Sequence, residues 1–238
     1  DVVLAPHDID SIELLGRVAV RLGNSEAGSR PVGVVTGAHD VDDALNIHKN
    51  VLAGEYDSTV RVEGLPLVTL RPNSVDTAEA PAAMGEGVLT TYTLPGYDTV
   101  RITEITEKPA STRPDLEEAA IVVAAGRGIG GNLAPIEDLA DALGAAIGST
   151  RAVTDAGWLD HSTQIGQTGK SVSPELYVSV GISGALQQKV GMDTSKTIVA
   201  INKDADAPIF EIADFGVVGD LFTVIPQAVE EIRKRRNA

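Results

Sequence analysis

The chain has 238 residues, 43% of them hydrophobic, with 24 glycines and no cysteine. Its 34 acidic residues outweigh 19 basic ones for a formal charge of −15, a balance that repels nucleic-acid phosphates and anionic membrane surfaces. The lack of cysteine excludes disulfides, thiolate metal sites and thiol nucleophiles, and no apolar run approaches the ~18 residues that a membrane-spanning helix needs.

The chain opens at Asp1 in "DVVLAP", a strand pattern with no methionine, signal or transit segment ahead of it. The expectations are a missing upstream stretch and a cytoplasmic setting. "IDSIELLGRVAVRLG" has helical periodicity and ends on Gly23, where a left-handed cap is easiest. Residues 23–50 are rich in Gly, Asp and Asn and read as connection, and the alternating runs "STVRVEG" and "LPLVTLRP" read as strands of a smaller sheet. "NSVDTAEAPAAMGEG" is too poor in bulky apolar residues to be other than a loop. The prolines and charges of "RITEITEKPASTRPDLEE" place a domain boundary near residues 109–116, dividing the chain into 1–112 and 113–238.

Beyond it the pattern is regular. "AAIVVAAG" predicts a strand, "APIEDLADALGAAIG" a helix, and "TRAVTDAG" and "ELYVSVGI" two more strands. "ALQQKVG" predicts a short helix, "KTIVAIN" a strand, and "IPQAVEEIRKRR" a closing helix with its basic residues at the end that the helix dipole favours. Strands alternating with helices make an α/β fold with a parallel sheet, which binds ligands at the carboxyl ends of its strands.

Glycine turns stand at those ends. Gly126, Gly128 and Gly131 in "GRGIGG" match GxGxxG, which with Asp155 at the end of the next strand gives an NAD-dependent oxidoreductase as one reading. Twenty-four glycines make that spacing an ordinary coincidence. Arg127 inside the turn could meet a phosphate or an electron-rich ring, or be a solvated loop charge. "QTGKS" ends like a P-loop, but Gly166 and Gly169 enclose two residues where that motif needs four. The stretch "TQIGQTGK" instead offers amides, hydroxyls and flexible backbone, a set suited to a flat heteroaromatic ring. The histidines 7, 39, 48 and 161 are scattered without metal-ligand spacing, and "HDVDDALNIH" reads as a solvated acidic loop before a cation site.

Five stretches stand in one order: "AGRGIGG", "TRAVTDAGW", "QIGQTGK", "ELYVSVGISGALQQKVGM" and "TIVAINKDADAPIFEIADFGVVGDLF". Together they resemble the electron transfer flavoprotein alpha subunit, densely from about residue 119 onward and more thinly over 1–110. The resemblance implies a Rossmann-like (DHS-like) FAD-binding domain over 113–238. It also implies an N-terminal α/β domain, expected to be incomplete at its start, that packs on a beta subunit in a heterodimer.

For the site, the resemblance implies flavin contacts from Arg127, Thr150 and Arg151, and a ring cradle from Gln164, Ile165, Gly166, Gln167 and Thr168. Thr168 is the expected partner of the ring's reactive nitrogen. Ser183, Gly184 and Ala185 are expected to offer N–H groups and a helix dipole to the pyrophosphate, and Asn202, Asp220 and Leu221 to meet the adenosine half. Many family members hold histidine where this chain has Gln188, which brings no charge and leaves Arg151 more of the electrostatic task. The implied function is an electron carrier with no catalytic residues and no metal. It passes single electrons from flavin dehydrogenases, such as those of fatty-acid oxidation, to a quinone-linked oxidoreductase, without membrane insertion. A flavin-bifurcating relative would look the same in this subunit.

Overall fold

The computed structural model describes residues 1–23, 31–52, 54, 56–75, 89–93, 103–104 and 112–236. Asp1–Val75 and Arg113–Ala238 form one compact unit, and Asp76–Thr112 a second. Residues 24–30, residues 76–87 of the loop expected over 73–87, and Pro109 of the expected domain boundary lie outside the described residues.

Strand β1 (Val3–Pro6) and helix α1 (Ile9–Gly23) form as the sequence predicts. Asp8 starts the helix by accepting a hydrogen bond from the Ser11 N–H at 2.7 Å, which satisfies one of the N–H groups that a helix leaves unpaired. The stretch read as connection holds β2 (Val32–Ala38), β3 (Asp40–Val41) and β4 (Ile47–Val51). Glycines 33 and 37 interrupt the alternation of β2, which hides it from a pattern search. After β5 (Tyr56–Val60) and β6 (Leu65–Leu70), the pairing corrects the expectation of one small sheet. Strand β6 lies between β1 and β2 in a parallel sheet, whereas β3, β4 and β5 form an antiparallel one. The acidic loop between the two histidines is the turn of that hairpin, closed by the Asn46 side chain and N–H donating to Asp42 at 2.8 Å. Among the described residues no three His, Asp or Glu side chains gather as a metal would require.

At the end of β1, His7 Nδ1 lies 2.8 Å from Thr69 Oγ1. Burial first, then the charges of Arg71 and Lys49, hold this imidazole below its ordinary pKa. Arg71 crosses to the C-terminal half of the unit and lies 3.5 Å from Asp193. Burial pushes the Asp193 carboxyl up, and Arg71 opposes that rise.

Strand β7 (Ile121–Ala125) is apolar at every position, the mark of a strand buried on both faces. Helix α2 (Ala134–Leu143) starts with Pro135 in its first turn and ends on Gly144, whose φ of 71° caps it. Two residues after Gly144 the chain is already in β8 (Ala146–Ser149), and α3 (Arg151–Asp155) follows at once. The sequence pattern instead predicts a helix through Gly148 and a strand over "TRAVTDAG". A two-residue connection erases the boundary that periodicity needs, and the β-branched residues of α3 mimic a strand.

The remaining elements are β9 (Leu176–Val180), α4 (Leu186–Lys189), β10 (Ile198–Asn202), β11 (Phe215–Val218) and α5 (Leu221–Arg236). Helix α5 begins four residues before the expected start at Ile225: Asp220 accepts from the Phe222 N–H at 3.1 Å, and Pro226, the second residue of the predicted segment, sits inside the helix. All pairings are parallel, in the order β11-β10-β9-β7-β8. Val123, Ala125, Val178 and Val180 pack against α2 and α5 on one face; Val122, Ala124 and Tyr177 pack with Ile165, Ile182 and Met192 on the other. The fold is α/β, as expected. Its strand order reverses between β7 and β9, and a doubly wound sheet opens a crevice at such a point, at the carboxyl ends of its strands.

Candidate functional site

A cavity of about 910 Å3 occupies that position. It is lined by Arg127 and Gly128 after β7, Thr150 to Ala152 after β8, Gly181 to Ser183 after β9, and Asn202 to Asp204 at the end of β10. Gln164 to Thr168, Ala185, Gln187 and Gln188 complete it. The volume is in the range of small-molecule sites, ~300–1,000 Å3. Arg127, Arg151 and Lys203 stand in the lining against one carboxylate, Asp204, in a chain whose charge is −15. A cationic rim on so acidic a molecule favours an anionic ligand.

The loop "TQIGQTGK" is pinned, which corrects the expectation of flexible backbone. Ile165 inserts into the core, 2% exposed, while its N–H donates to the Ser149 carbonyl at 2.8 Å. On the other side the Gln167 N–H donates to the Gln187 carbonyl at 2.7 Å. Gly166, at φ 136°, fits because a Cβ there would lie 2.6 Å from that same carbonyl oxygen. Side chains continue the order. Thr154 donates to Gln164 Oε1 at 2.9 Å, and Gln164 Nε2 donates to Thr168 Oγ1 at 2.9 Å. The Thr168 hydroxyl thus has an acceptor lone pair filled and its hydrogen left to give into the cavity.

Two residues of the lining carry a buried oxygen with no partner among the described residues, Thr150 Oγ1 and Gln188 Oε1. A buried polar atom left unpaired is costly, so such a pair on one cavity calls for a polar ligand. Ser183, Gly184 and Ala185 give their N–H groups to no backbone oxygen among the described residues. The helix behind them, α4, has four residues. Any anion there is therefore held by the N–H groups themselves; the expected helix dipole is too short to matter.

Of the residues singled out from the sequence, Arg127, Thr150, Arg151, Gln164, Ile165, Gly166, Gln167, Thr168, Ser183, Ala185, Gln188 and Asn202 line this one cavity. Gly184, Asp220 and Leu221 do not. Gly184 backs onto Ile209, Asp220 starts α5, and Leu221 is 6% exposed in the core beneath Gly181. Asn202 also ties two strand ends together, donating from Nδ2 to the Ile182 carbonyl at 2.8 Å. Sequence reasoning missed Ala152, Gly181, Ile182, Gln187, Lys203 and Asp204, and reached Gly128 only through the GxGxxG reading. Lys203 and Asp204 follow Asn202 directly, and their charges at a strand end were the available signal. Asp155 is on α3, where it accepts from Arg151 Nε at 3.2 Å. It does not end a strand, and the dinucleotide reading built on it falls.

Comparison with known proteins agrees with this geometry. Residues 115–193 match the family model described as "Electron transfer flavoprotein FAD-binding domain". The electron transfer flavoprotein subunit alpha of Mycobacterium leprae is 44% identical over 238 residues, covering 98% of this chain and 72% of that protein. The chain belongs to the electron transfer flavoprotein alpha-subunit family. Its similarity to other members is of the same order. The subunit alpha of Paracoccus denitrificans is 42% identical over 94% of this chain and 70% of its own length. That of Bacillus subtilis is 38% identical over 98% and 71%. The stretch matched to the family model includes the turn after β7, the pinned loop and Gln188.

Proposed function

We propose that the cavity is an FAD site formed by residues 113–238 and that the chain is the FAD-carrying subunit of an electron carrier. The observation that carries this is the cationic, polar-lined cavity at the point where the strand order reverses, two of whose lining residues, Thr150 and Gln188, carry a buried oxygen with no partner among the described residues. These residues fit the cofactor. Arg127 and Arg151 offer positive charge to the ring, and Thr150, Gln164 and Thr168 offer hydrogen bonds to its polar edge. The free N–H groups of Ser183 to Ala185 suit the pyrophosphate, and Lys203 adds a charge nearby. FAD supplies a ring that accepts and releases electrons one at a time. The chain's residues bind and orient that ring and set the electrostatic field around it, so no general base is needed. In this role the subunit pairs with a beta subunit. It accepts electrons from flavin dehydrogenases, including those that oxidise acyl-CoA, and yields them to a quinone-linked oxidoreductase.

The test is to mix the purified full chain with FAD, alone and with a co-expressed beta subunit, and to remove free flavin by desalting. We expect a yellow protein with one FAD per alpha chain. Loss of colour from both preparations, with the chain folded by circular dichroism, would refute the assignment.

A further inference from the structure

The buried pair under the cavity floor has a role that the lining alone does not describe. Tyr177, on β9, is fully buried. Its hydroxyl reaches α4, where it accepts a hydrogen bond from Gln188 Nε2 at 2.8 Å. In this arrangement two groups go unused. The phenol hydrogen has no acceptor among the described residues, and Oε1 of Gln188, a residue that lines the cavity, is buried and without a partner among them. Burial also raises the pKa of Tyr177 above that of an ordinary phenol, which keeps the hydrogen in place. A half-turn of the amide resolves both: Oε1 then accepts from the tyrosine hydroxyl, and the NH2 group takes the place of the unpaired oxygen. The two orientations occupy the same space, so the hydrogen bonds available at each end decide between them.

Resting on the FAD reading above, we propose that Tyr177 is a positioning residue: in the loaded protein it donates to Gln188 Oε1 and so aims the Gln188 NH2 group at an acceptor edge of the flavin. Gln188 touches the ligand; Tyr177 acts through it. The neutral glutamine is thereby held as a donor toward the ligand. Gln188→Ala removes the ligand contact. Tyr177→Phe keeps the ring in its slot and removes the hydroxyl alone.

The experiment compares FAD affinity and flavin reduction potential in the wild type, Tyr177→Phe, Gln188→Ala and the double variant, with melting temperature as a check on folding. Tyr177→Phe should weaken FAD binding by roughly two- to ten-fold, the range for loss of one neutral hydrogen bond, and lower the potential. In the Gln188→Ala background it should do neither. Wild-type behaviour of Tyr177→Phe, or an effect that adds in full to that of Gln188→Ala, would overturn the proposal. If Tyr177→Phe fails to fold, the wild-type chain labelled with 15N-glutamine decides. The side-chain amide pair missing from Gln188→Ala spectra should shift and exchange more slowly with water on FAD addition, and an unmoved pair would overturn it. A folded wild type that takes up no FAD would refute the cofactor reading itself, and this inference with it. That result is distinct from a yellow wild type whose Tyr177→Phe variant is unchanged.

Discussion

Arg151 divides its charge between the cavity and a neighbour. Its guanidinium lines the cavity but also donates to Asp155 one helical turn away, at 3.2 Å, and its side chain is 69% exposed. A hydrogen bond to a charged group is typically worth ~1.5–3 kcal/mol, and exposed ion pairs typically contribute only ~0–1 kcal/mol. Solvent and Asp155 therefore place Arg151 at the lower end. With about 59 mV for each tenfold change in a one-electron equilibrium, Arg151→Ala should lower the potential of bound flavin by no more than ~65 mV. Asp155→Asn should move it the other way by a smaller amount, because it frees the guanidinium for the ring. Redox titration of the two FAD-loaded variants checks both signs, and equal potentials in both would remove Arg151 from the role.

At the level of elements, the site depends on two turns that cross almost in contact. The turn after β7 passes the turn after β9 so closely that a Cβ on Gly126 would lie 2.2 Å from the Gly181 carbonyl oxygen. Gly126→Ala must push the turns apart, at the ~1–3 kcal/mol usual for overpacking, and should lose FAD affinity as well as melting temperature. Gly144→Ala is the control. Its Cβ meets nothing, and φ at Gly144 is 71°, so it should cost ~1–2 kcal/mol of stability from the left-handed backbone alone and leave FAD affinity unchanged. If Gly126→Ala binds FAD as the wild type does, the crossing does not build the cavity. This element scale is also where the sequence was legible in some places and silent in others. Strands β7, β9 and β10 announce themselves because burial on both faces fills them with apolar residues, with Ser179 and the terminal Asn202 the exceptions. Strand β11 is a four-residue edge with Phe215 and Val218 exposed, too short to carry a pattern. The polar side chains of the cavity stood out because Arg127 and the glutamine-rich loop sit among glycines. Gly181 and Ile182 line it through their position at a strand end, which no side-chain chemistry advertises.

Across the whole molecule, the C-terminal sheet buries apolar side chains on both faces, whereas α1 buries only Leu15. Ile9, Leu14 and Val20 on that helix are 82%, 60% and 63% exposed, and Val3 and Leu4 on β1 are exposed beside it. Apolar side chains gathered on one element in this way gain by burial against another surface, and the heterodimer proposed above supplies one. A partner that binds only the folded chain stabilises it by ~2.7 kcal/mol at about a hundred times its dissociation constant. At the ~2–4 °C per kcal/mol usual for chains of this length, a beta subunit should raise the melting temperature by roughly 5–11 °C. Hydrogen exchange should slow within residues 1–75, most of all in α1. The strands of the C-terminal sheet, already buried on both faces, should change little. Equal melting temperatures and equal exchange in α1 with and without the beta subunit would show that this surface is not where the partner binds.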